Sequence, residues 1–463
     1  MTNKLYGLVR NRLVIKCWPG IIISAFIVLY GGNLNGNPFG DRNFFQNNNG
    51  AVLSSEPGQM SVTDNCYAWE SGWTANPEVI SNREEGRPRL IWRESEVPYY
   101  ELPDPLKASS GTAVTSKEQW KERRTVILDM FRENMYGHRP GYPEEITFKL
   151  ISENSLAMEG EATLKIVEII SSHKGRDHRF ELILFLPNKL EKPAPLFLLM
   201  NNRSPDNTDP MRQELSGFWP AEEVIQRGYG IAAIQNSELA PDDTVKFVEG
   251  VIKLFEGDVA PEDRAPNAGG ALAAWGWGAS RAMDYFETDD KVDCSKVAVL
   301  GHSRGGKASL WAGAEDERFA LVISNNSGSG GAALSKRCFG ETIEAVNRFT
   351  HWFAPNFRKY NDREEKLHFD QHMLLSLIAP RALYVASADE DLWADPRGEF
   401  LSLAHASPVY ELWKYAPIDP DNMPPLDKPL VKDQRGYHIR PGGHNLTPVD
   451  WHYFMDFADQ LWR

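Results

Sequence analysis

A serine flanked by glycines offers a hydroxyl group for attack on a carbonyl carbon. Residues 301–305 read Gly-His-Ser-Arg-Gly; the apolar run 296–300 before them predicts a strand, and residues 307–314 predict a helix. A Gly-x-Ser-x-Gly sequence between a strand and a helix is typical of a sharp turn that holds the serine Oγ exposed at the tip of a sheet. We therefore predict that Ser303 is a nucleophile, with a serine in a structural turn as the alternative.

A nucleophilic serine needs a base that accepts its proton and a third group that orients this base. When the serine lies on such a turn, the acid and then the histidine follow it along the chain. His444 lies in the glycine-rich segment 440–446, just before the last predicted helix, and is the candidate base, with a solvated loop histidine as the alternative. His302 is next to the serine on the turn, where adjacent side chains point apart, so we expect a structural role for it.

The candidate acid is one of four carboxylates that follow a predicted strand at 381–387. They are Asp389, Glu390, Asp391 and Asp395, within the segment Ala-Asp-Glu-Asp-Leu-Trp-Ala-Asp. Charge-rich loops are often simply solvated, but the position after this strand favours an acid here. Spacing alone prefers none of the four.

The tetrahedral intermediate of acyl transfer needs hydrogen-bond donors aimed at its oxyanion. The backbone N–H of Arg304, directly after the serine, is one expected donor, and the loop 201–203 is expected to supply another. The guanidinium of Arg304 can add a side-chain donor. Its alternative role is an ion pair with a surface acid.

The predicted elements around these residues alternate between strands and helices. The run 195–200 is continuously apolar, as expected of a strand buried on both faces of a sheet. Together with the serine turn, this alternation predicts an α/β-hydrolase fold, in which helices cover both faces of a mostly parallel central sheet. Strands are predicted at 162–171, 179–186, 195–200, 230–235, 296–300, 319–325 and 381–387, and helices at 120–136, 221–227, 267–287, 307–314 and 447–461.

The chain of 463 residues is predicted to hold one catalytic domain behind an N-terminal extension. Residues 1–31 combine a basic start with an apolar stretch at 21–30, which indicates an export signal or an uncleaved anchor. Residues 32–66 are rich in Asn, Gly and Ser, which predicts a disordered linker. We expect residues 67–463 to form the single α/β-hydrolase domain of an exported protein, either secreted or periplasmic.

The formal net charge of −14 argues against nucleic acids and anionic membranes as partners, since both bind cationic surfaces. No membrane contact is expected beyond the possible N-terminal anchor, and we expect a monomer. The four cysteines lack the spacing of metal ligands, and neither a metal ion nor an organic cofactor is expected. Free buried thiols are the expected state of Cys294 and Cys338, with a disulfide between them as the alternative.

The residues around the serine resemble a known family. Residues 301–308 read Gly-His-Ser-Arg-Gly-Gly-Lys-Ala and 310–314 read Leu-Trp-Ala-Gly-Ala, a pattern similar to the bacterial branch of the glucuronoyl esterases, carbohydrate esterase family fifteen. The Ser-Arg-x-Gly-Lys part is far more specific than Gly-x-Ser-x-Gly. The resemblance begins near residue 95 and includes segments 102–106, 136–140, 274–284, 325–328, 340–342, 370–373 and 393–396.

The resemblance implies a serine hydrolase of esters of glucuronic or 4-O-methyl-glucuronic acid, as found in lignin–xylan linkages. Ser303 would be the nucleophile and His444 the base. The acid of the bacterial branch lies two residues before a loop tryptophan, which selects Asp391 before Trp393. Fungal members place a catalytic glutamate at the position of Asn326, and an asparagine cannot serve as that carboxylate.

The resemblance also implies residues that bind the substrate, which would be glucuronoxylan or a lignin–carbohydrate ester. Lys307, Glu341 and Trp393 match positions that contact the hydroxyls and ring of the glucuronate, and Arg304 matches the residue that supports the oxyanion. Lys307 lies one helical turn after the serine, so it can face the same pocket. The alternatives are an esterase of this fold that acts on another carbohydrate or small ester, and a carbohydrate-binding protein without catalysis.

Overall fold

Ten strands form one sheet in the part of the chain that this computed structural model describes, residues 73–463. The predicted signal or anchor at 1–31 and the predicted linker at 32–66 lie outside the described residues. The strands are β1 (Glu145–Ala157), β2 (Ala162–His173), β3 (Arg176–Pro187), β4 (Ala194–Asn201), β5 (Gly230–Gln235), β6 (Val292–His302), β7 (Leu321–Asn325), β8 (Ala382–Ala388), β9 (Leu430–Lys432) and β10 (Arg435–Arg440).

The strands lie in the order β1-β2-β3-β5-β4-β6-β7-β8-β10-β9. From β5 through to β10 each neighbouring pair is parallel, whereas β1, β2, β3 and β9 join the sheet antiparallel. Because parallel strands end at the same edge of a sheet, the segments that follow β4, β6, β7, β8 and β10 meet there. The predicted chemical residues lie in these segments.

Helices of very different length connect the strands. In the described range, 73–463, none of them combines the length and the apolar character needed to cross a bilayer. The α-helices are α1 (Pro77–Gly86), α2 (Lys117–Asn134), α3 (Ala221–Gln226), α4 (Asn236–Leu239), α5 (Val251–Glu256), α6 (Ala271–Phe286), α7 (Arg304–Glu315), α8 (Ile343–Asn347), α9 (Gln371–Ser376), α10 (Pro396–His405), α11 (Ser407–Glu411) and α12 (Pro448–Trp462). Short 3-10 turns lie at Glu94–Glu96, Met158–Gly160, Pro205–Thr208, Lys246–Val248, Pro261–Asp263, Ser335–Arg337, Pro355–Tyr360, Glu364–Lys366 and Leu392–Ala394.

Side chains of β4 are buried on both faces of the sheet. Leu198 belongs to a buried cluster with Trp275 of α6 and Trp311 of α7, whereas Leu199 belongs to a second cluster with Trp451 of α12. Successive residues of a strand point to opposite faces, so the continuous apolar run of β4 requires helices on both sides. The helices provide this cover, and the predicted α/β-hydrolase fold is confirmed.

Two glycines in α6 let this helix pack closely against its neighbours. A Cβ at Gly278 would overlap the side chain of Leu239 in α4, and a Cβ at Gly276 would lie 3.4 Å from the backbone nitrogen of Ala312 in α7. These glycines weaken the sequence pattern of a helix but are required by the packing. The helix nevertheless runs without interruption from Ala271 to Phe286, within the predicted range 267–287.

Strands β1, β9 and β10 were not predicted from the sequence. Most of β1 is exposed, so it lacks the apolar pattern of a buried strand. In contrast, β10 is buried along its whole length although it carries Arg435, His438 and Arg440. These polar side chains are tolerated because each has a buried partner, as Arg435 has in the hydroxyl of Ser407 at 2.9 Å.

Both cysteines of the described residues are free thiols. Cys294 is exposed and Cys338 is half-buried. The prediction of a buried thiol is therefore wrong for Cys294, which lies in a polar, exposed part of β6. The alternative of a disulfide between the two is excluded.

Candidate active site

Ser303 lies at the turn between β6 and α7, at the edge where the parallel strands end. β6 ends at His302 and α7 begins at Arg304, so the serine alone makes the reversal. Its φ of 58° and ψ of −128° are unfavourable for a residue with a side chain. The N–H of Ser303 donates to the carbonyl of Asn325 at 2.9 Å, and its carbonyl accepts from the first turn of α7. These hydrogen bonds hold the strained turn between β7 and the helix.

Two glycines make this turn possible. A Cβ at Gly301 would overlap the backbone carbonyl of Gly305, and a Cβ at Gly305 would lie 3.0 Å from the carbonyl oxygen of Met200. Larger residues would therefore push α7 away from β6 and β4. The Gly-x-Ser-x-Gly pattern follows from this close approach of strand and helix.

His444 and Asp391 meet beside the serine turn. The Nδ1 atom of His444 lies 2.6 Å from Oδ2 of Asp391, and the rings of His444 and His302 pack with centroids 4.5 Å apart. Asp391 is buried, and the side-chain amide of Asn326 donates to the same oxygen at 2.9 Å. Burial raises the pKa of Asp391, but the charge and hydrogen bond of His444 and the hydrogen bond of Asn326 outweigh it, so the pKa lies below its ordinary value. An ionised Asp391 can therefore orient the imidazole.

The other three carboxylates of this loop have different surroundings. Oδ1 of Asp389 accepts from the N–H of Gly442 at 2.7 Å and so ties the loop to the segment between β10 and α12. Glu390 is exposed. Asp395 pairs with Arg337 at 2.7 Å and caps the N-terminus of α10. Of the four candidate acids, the structure thus brings a single one to the imidazole.

The loop that carries His444 is held by a buried ion pair. Arg440, at the end of β10, donates through Nη2 to the carbonyls of Gly443 and Asn445, at 3.2 and 2.5 Å, on either side of the histidine. Its Nε donates to Oδ2 of Asp450, in the first turn of α12, at 2.8 Å. Sequence reasoning missed both residues, although the Thr-Pro-Val-Asp start of α12 has the pattern of a capping box.

Asp450 accepts hydrogen bonds from four residues in three parts of the chain. Its carboxylate accepts from Asn325 at 3.1 Å, from Nε2 of His438 at 2.9 Å, from Arg440, and from the N–H and hydroxyl of Thr447 at 2.8 and 2.7 Å. Burial raises the pKa of Asp450, but the hydrogen bond and charge of His438 and the charge of Arg440 leave the pKa below its ordinary value. The ionised carboxylate therefore connects β7, β10 and α12 beneath the His444 loop.

Arg304 is oriented by an acid that follows α4. Its Nε lies 2.5 Å from Oδ2 of Asp242, and its Nη2 donates to the carbonyl of Asn202 at 3.0 Å. The Asp242 carboxylate also lies 2.7 Å from Nε2 of His351 and accepts from the indole of Trp352 at 2.8 Å. Burial raises the pKa of Asp242, but the hydrogen bond of His351 and the charge of Arg304 lower it to about 2. Arg304 thus makes the ion pair that was its alternative role, and this pair fixes its guanidinium beside the serine turn.

The loop after β4 is anchored by its own side chains. The N–H of Arg203 donates to Oδ1 of Asn201 at 3.0 Å, and the amide of Asn201 donates to Gln235 at 2.8 Å. The N–H of Arg203 is therefore not available as an oxyanion donor. A donor from this loop stays a prediction.

Lys307, Glu341 and Trp393 lie together one helical turn from the serine. Nζ of Lys307 donates to Oε2 of Glu341 at 2.8 Å, and the indole of Trp393 donates to Oε1 at 3.1 Å. Lys307 is buried, and it also donates to the carbonyls of Ser327 and Ser329 at 2.6 and 2.5 Å. An ammonium group has three donors, so all of them are engaged within the protein. Lys307 therefore orients Glu341, whose carboxylate keeps further capacity to accept hydrogen bonds.

A buried carboxyl that sequence reasoning missed holds the loop after β7. Glu399, in α10, accepts from the N–H groups of Ser327 and Gly328 at 2.7 and 3.0 Å and from the hydroxyl of Ser387 at 2.6 Å. Burial raises the pKa of Glu399 to about 8. The loop it holds contains Asn326 and the carbonyls that bind the buried lysine. No motif in the sequence marks this glutamate, because its donors come from other strands.

The arrangement offers the groups that acyl transfer requires. It combines a hydroxyl on a sharp turn, an imidazole oriented by an ionised carboxylate and a fixed guanidinium beside the turn. The lysine-bound glutamate and its indole partner add acceptor and donor groups that can read sugar hydroxyls. Within residues 73–463, no group of three or more His, Cys, Asp or Glu side chains is arranged to hold a metal ion.

Comparison with known proteins connects this geometry to one family. A family model described as "Glucuronyl esterase, fungi" matches residues 263–413, which contain the serine turn and the acid loop. Carbohydrate esterase MZ0003, from an unknown prokaryotic organism, is 41% identical over 419 residues, which cover 84% of this chain and 94% of that protein. The 4-O-methyl-glucuronoyl methylesterase 1 of Wolfiporia cocos is 29% identical over 337 residues, 68% of this chain and 74% of that protein.

A solved structure shows the same architecture. The glucuronoyl esterase from Solibacter usitatus superposes with a TM-score of 0.74 at 42% identity, and the match covers 80% of this chain and 100% of that chain. Identity to the two bacterial or prokaryotic proteins exceeds identity to the fungal one, in agreement with the residues around the serine. The chain therefore belongs to the glucuronoyl esterase family, carbohydrate esterase family fifteen, on its bacterial branch.

Proposed function

We propose that this protein is a serine esterase that hydrolyses esters of glucuronic and 4-O-methyl-glucuronic acid. One observation carries the proposal: α7 begins directly after Ser303 and, one turn later, presents Lys307 bound to Glu341. A reacting hydroxyl and a carboxylate suited to sugar hydroxyls are therefore positioned by one helix. The similarity of this chain to the Solibacter glucuronoyl esterase and to the Wolfiporia methylesterase supports the same class of substrate.

The proposed reaction proceeds through an acyl-enzyme. Oγ of Ser303 attacks the C6 carbonyl carbon of the uronate ester while Nε2 of His444 accepts the serine proton. Asp391 holds the Nδ1–H of His444 at 2.6 Å, which fixes the tautomer and stabilises the imidazolium. The imidazolium gives its proton to the leaving alcohol. Water, deprotonated by the same histidine, then attacks the acyl carbon and releases glucuronate and the free serine.

The negative charge that develops on the carbonyl oxygen is stabilised by Arg304. Its backbone N–H and its guanidinium are both donors next to the reacting carbon. Asp242 and the carbonyl of Asn202 hold the guanidinium in place, at 2.5 and 3.0 Å. Donors that are fixed before the reaction need no reorganisation when the charge appears, so they stabilise the transition state more than the ground state.

Glu341 is proposed to bind hydroxyl groups of the uronate ring, because a carboxylate accepts hydrogen bonds from several hydroxyls. Lys307 and the indole of Trp393 hold this carboxylate in place through hydrogen bonds at 2.8 and 3.1 Å. The natural ester would lie in glucuronoxylan or in lignin–carbohydrate complexes. Such polymers stay outside cells, which agrees with the export signal predicted at 1–31. The catalytic domain at 67–463 is proposed to act as a monomer.

Steady-state kinetics of the purified full chain test this function. Methyl and benzyl esters of glucuronic acid are compared with 4-nitrophenyl acetate and with acetylated xylan, and Ser303→Ala serves as the inactive control. We expect kcat/KM for the uronate esters to exceed that for the acetates. Efficient turnover of the acetates with none of the uronate esters would contradict the proposal and favour another esterase of the same fold.

A further inference from the structure

Helix α1 and the residues after it form a wall beside Trp393 and the acid loop. The guanidinium carbon of Arg87 lies 4.0 Å from the ring centroid of Trp393, and the ring of Trp92 packs 6.2 Å from the same ring. Nη2 of Arg83, in α1, donates to the backbone carbonyl of Glu390 at 3.1 Å. The α1 segment therefore contacts the acid loop on both sides of the proposed triad acid.

Arg83 and Arg87 have no carboxylate partner in the described part of the chain, whereas Arg348 nearby pairs with Glu344 at 2.7 Å. Within residues 73–463, neither Arg83 nor Arg87 has a carboxylate oxygen within 4.0 Å. Burial lowers the pKa of Arg87, and the charges of Arg83 and Arg348 lower it further against the attraction of Glu341. The three guanidinium groups are thus close enough to repel one another.

Several carboxylates near this wall are engaged elsewhere. Glu341 pairs with the buried ammonium of Lys307 at 2.8 Å, and Asp391 pairs with His444 at 2.6 Å. Glu390, exposed on the acid loop, has no ion pair within the described residues. On the α1 segment itself, Glu84 pairs with Arg93 at 2.5 Å, and Glu85 is exposed and has no ion pair within residues 73–463.

Arg87 lies over the ring of Trp393 and is exposed. A guanidinium stacked on an aromatic ring uses its flat face, while its N–H donors point outward in the plane. Such a fork matches the two oxygens of a carboxylate. Arg83 and Arg87 have no ion pair within residues 73–463, so their guanidinium groups can attract an anion beside Trp393.

We propose that Arg83 and Arg87 form a subsite for a second, free carboxylate carried by the same carbohydrate as the ester. This inference rests on the proposed function, since the ester must occupy Ser303. The carboxyl group that reacts is uncharged while esterified and lies at the serine, so the anion at Arg87 belongs to another sugar unit. The preferred substrate is therefore an acidic oligosaccharide in which one uronic acid is esterified and a neighbouring one is free.

The test compares two substrates in the full-length protein. One is the uncharged benzyl ester of glucuronic acid, and the other is a xylo-oligosaccharide with one methyl-esterified and one free glucuronate. The quantity measured is the ratio of kcat/KM for the acidic substrate to that for the neutral one. We expect the double variant Arg83→Gln/Arg87→Gln to lower this ratio roughly threefold to tenfold, as expected for the loss of two exposed charge pairs.

Two further variants separate charge from packing. Arg87→Lys, made with Arg83 unchanged, keeps the positive charge. It should therefore retain most of the preference for the acidic substrate. Arg179 is an exposed arginine on β3, a strand that is not adjacent to β6, β7 or β8, whose ends carry the site. Arg179→Gln should therefore leave the ratio of kcat/KM values unchanged. Added salt should lower the ratio of the unmodified protein and leave that of the double variant nearly constant, because exposed charges are screened.

The outcomes distinguish this inference from the proposed function. An unchanged ratio in the double variant, or an equal loss on both substrates that Arg87→Lys does not restore, would overturn the subsite and leave Arg87 as a packing residue for Trp393. If the unmodified protein hydrolyses neither ester, the proposed function itself fails. If the protein hydrolyses the neutral ester but the ratio of kcat/KM values does not change with salt, the subsite is rejected and the proposed function stands.

Discussion

Nε of Arg440 donates to Oδ2 of Asp450 at 2.8 Å, and the same guanidinium binds the carbonyls of Gly443 and Asn445 that flank His444. The proposed general base lies on an exposed loop, with 39% of its side-chain surface accessible. Loops are ordinarily more mobile than the strands they connect. The position of this base is therefore set by an ion pair beneath the loop as well as by Asp391.

Replacing Arg440 with lysine is predicted to reduce kcat about tenfold, because a small displacement of a catalytic group is costly. Arg440→Lys keeps a cation beside Asp450 but cannot donate to the loop carbonyls at the same time. Asp450→Ala should lower the free energy of unfolding by about 3–5 kcal/mol, since it leaves the buried Arg440 without its ionic partner. Kinetics with benzyl glucuronate and urea unfolding measure the two effects.

The exposed Asp456 on α12 provides a control for the Arg440 and Asp450 variants. Asp456→Asn should change neither kcat nor the free energy of unfolding appreciably. If Arg440→Lys turned over substrate at the normal rate, the loop would not depend on this clamp. Normal stability of Asp450→Ala would show that His438 and Arg440 find other partners.

Asp242 is predicted to act on catalysis through Arg304. In Asp242→Asn, the amide can still accept from Trp352, but Arg304 loses its ionic partner at 2.5 Å. We expect kcat to fall about tenfold to a hundredfold with little change in KM, because the loss falls on the transition state. Because the pKa of Asp242 is about 2, the carboxylate is ionised over the whole working range, and the loss should not vary with pH.

Asp243→Asn, at the exposed neighbouring residue, is the matched control for Asp242→Asn. It makes the same substitution at the next residue and should retain full activity. An increase in KM with an unchanged kcat in Asp242→Asn would assign Asp242 to substrate binding instead of to the oxyanion.

Lys307 and Glu341 are predicted to act as a unit in substrate binding. Lys307→Met removes the only cation paired with Glu341 in the described residues and should raise KM for benzyl glucuronate about tenfold, with a smaller effect on kcat. Glu341→Gln should raise KM as well. The double variant should cost less than the sum of the two, with a coupling of about 1–3 kcal/mol, as found for contacting pairs. Strictly additive losses would show that each residue contacts the substrate independently.

The sequence predicts the parts of this site that depend on local geometry. The serine turn follows from glycines that only a strand–helix junction requires, and β4 and β6 follow from apolar runs that are buried on both faces. The acid remained ambiguous in the residues themselves because four carboxylates occupy seven positions of one loop. Which of them reaches the imidazole depends on how that loop packs against the segment after β10, as the bond from Gly442 to Asp389 shows.

The supporting residues were missed for a different reason. Asp242 binds Arg304 and His351, and Glu399 binds the loop after β7, across long stretches of sequence. No spacing rule connects such partners, since they are neighbours only after the sheet has formed. The arginines of α1 were missed in the same way, because nothing in their local pattern places them on Trp393.

Glu399 is predicted to make the protein less stable as pH rises towards the alkaline range. Its pKa moves from 4.5 to about 8 on folding, so between these values the folded protein holds a proton that the unfolded chain has released. The free energy of unfolding therefore decreases as pH increases through this window, by up to about 1.4 kcal/mol per pH unit. The variant Glu399→Gln tests this pH dependence because it keeps the hydrogen bonds but has no group that ionises. Its Oε1 can still accept from Ser327 and Gly328, and its Nε2 can donate to the hydroxyl of Ser387. Urea unfolding at several pH values should show the variant gaining stability relative to the unmodified protein as pH increases from about 5 to 8. Glu399→Ala, which loses the hydrogen bonds as well, should be less stable at every pH. Parallel pH curves for the unmodified protein and Glu399→Gln would mean that the carboxyl is ionised in the fold at neutral pH, held so by the four donors that surround it.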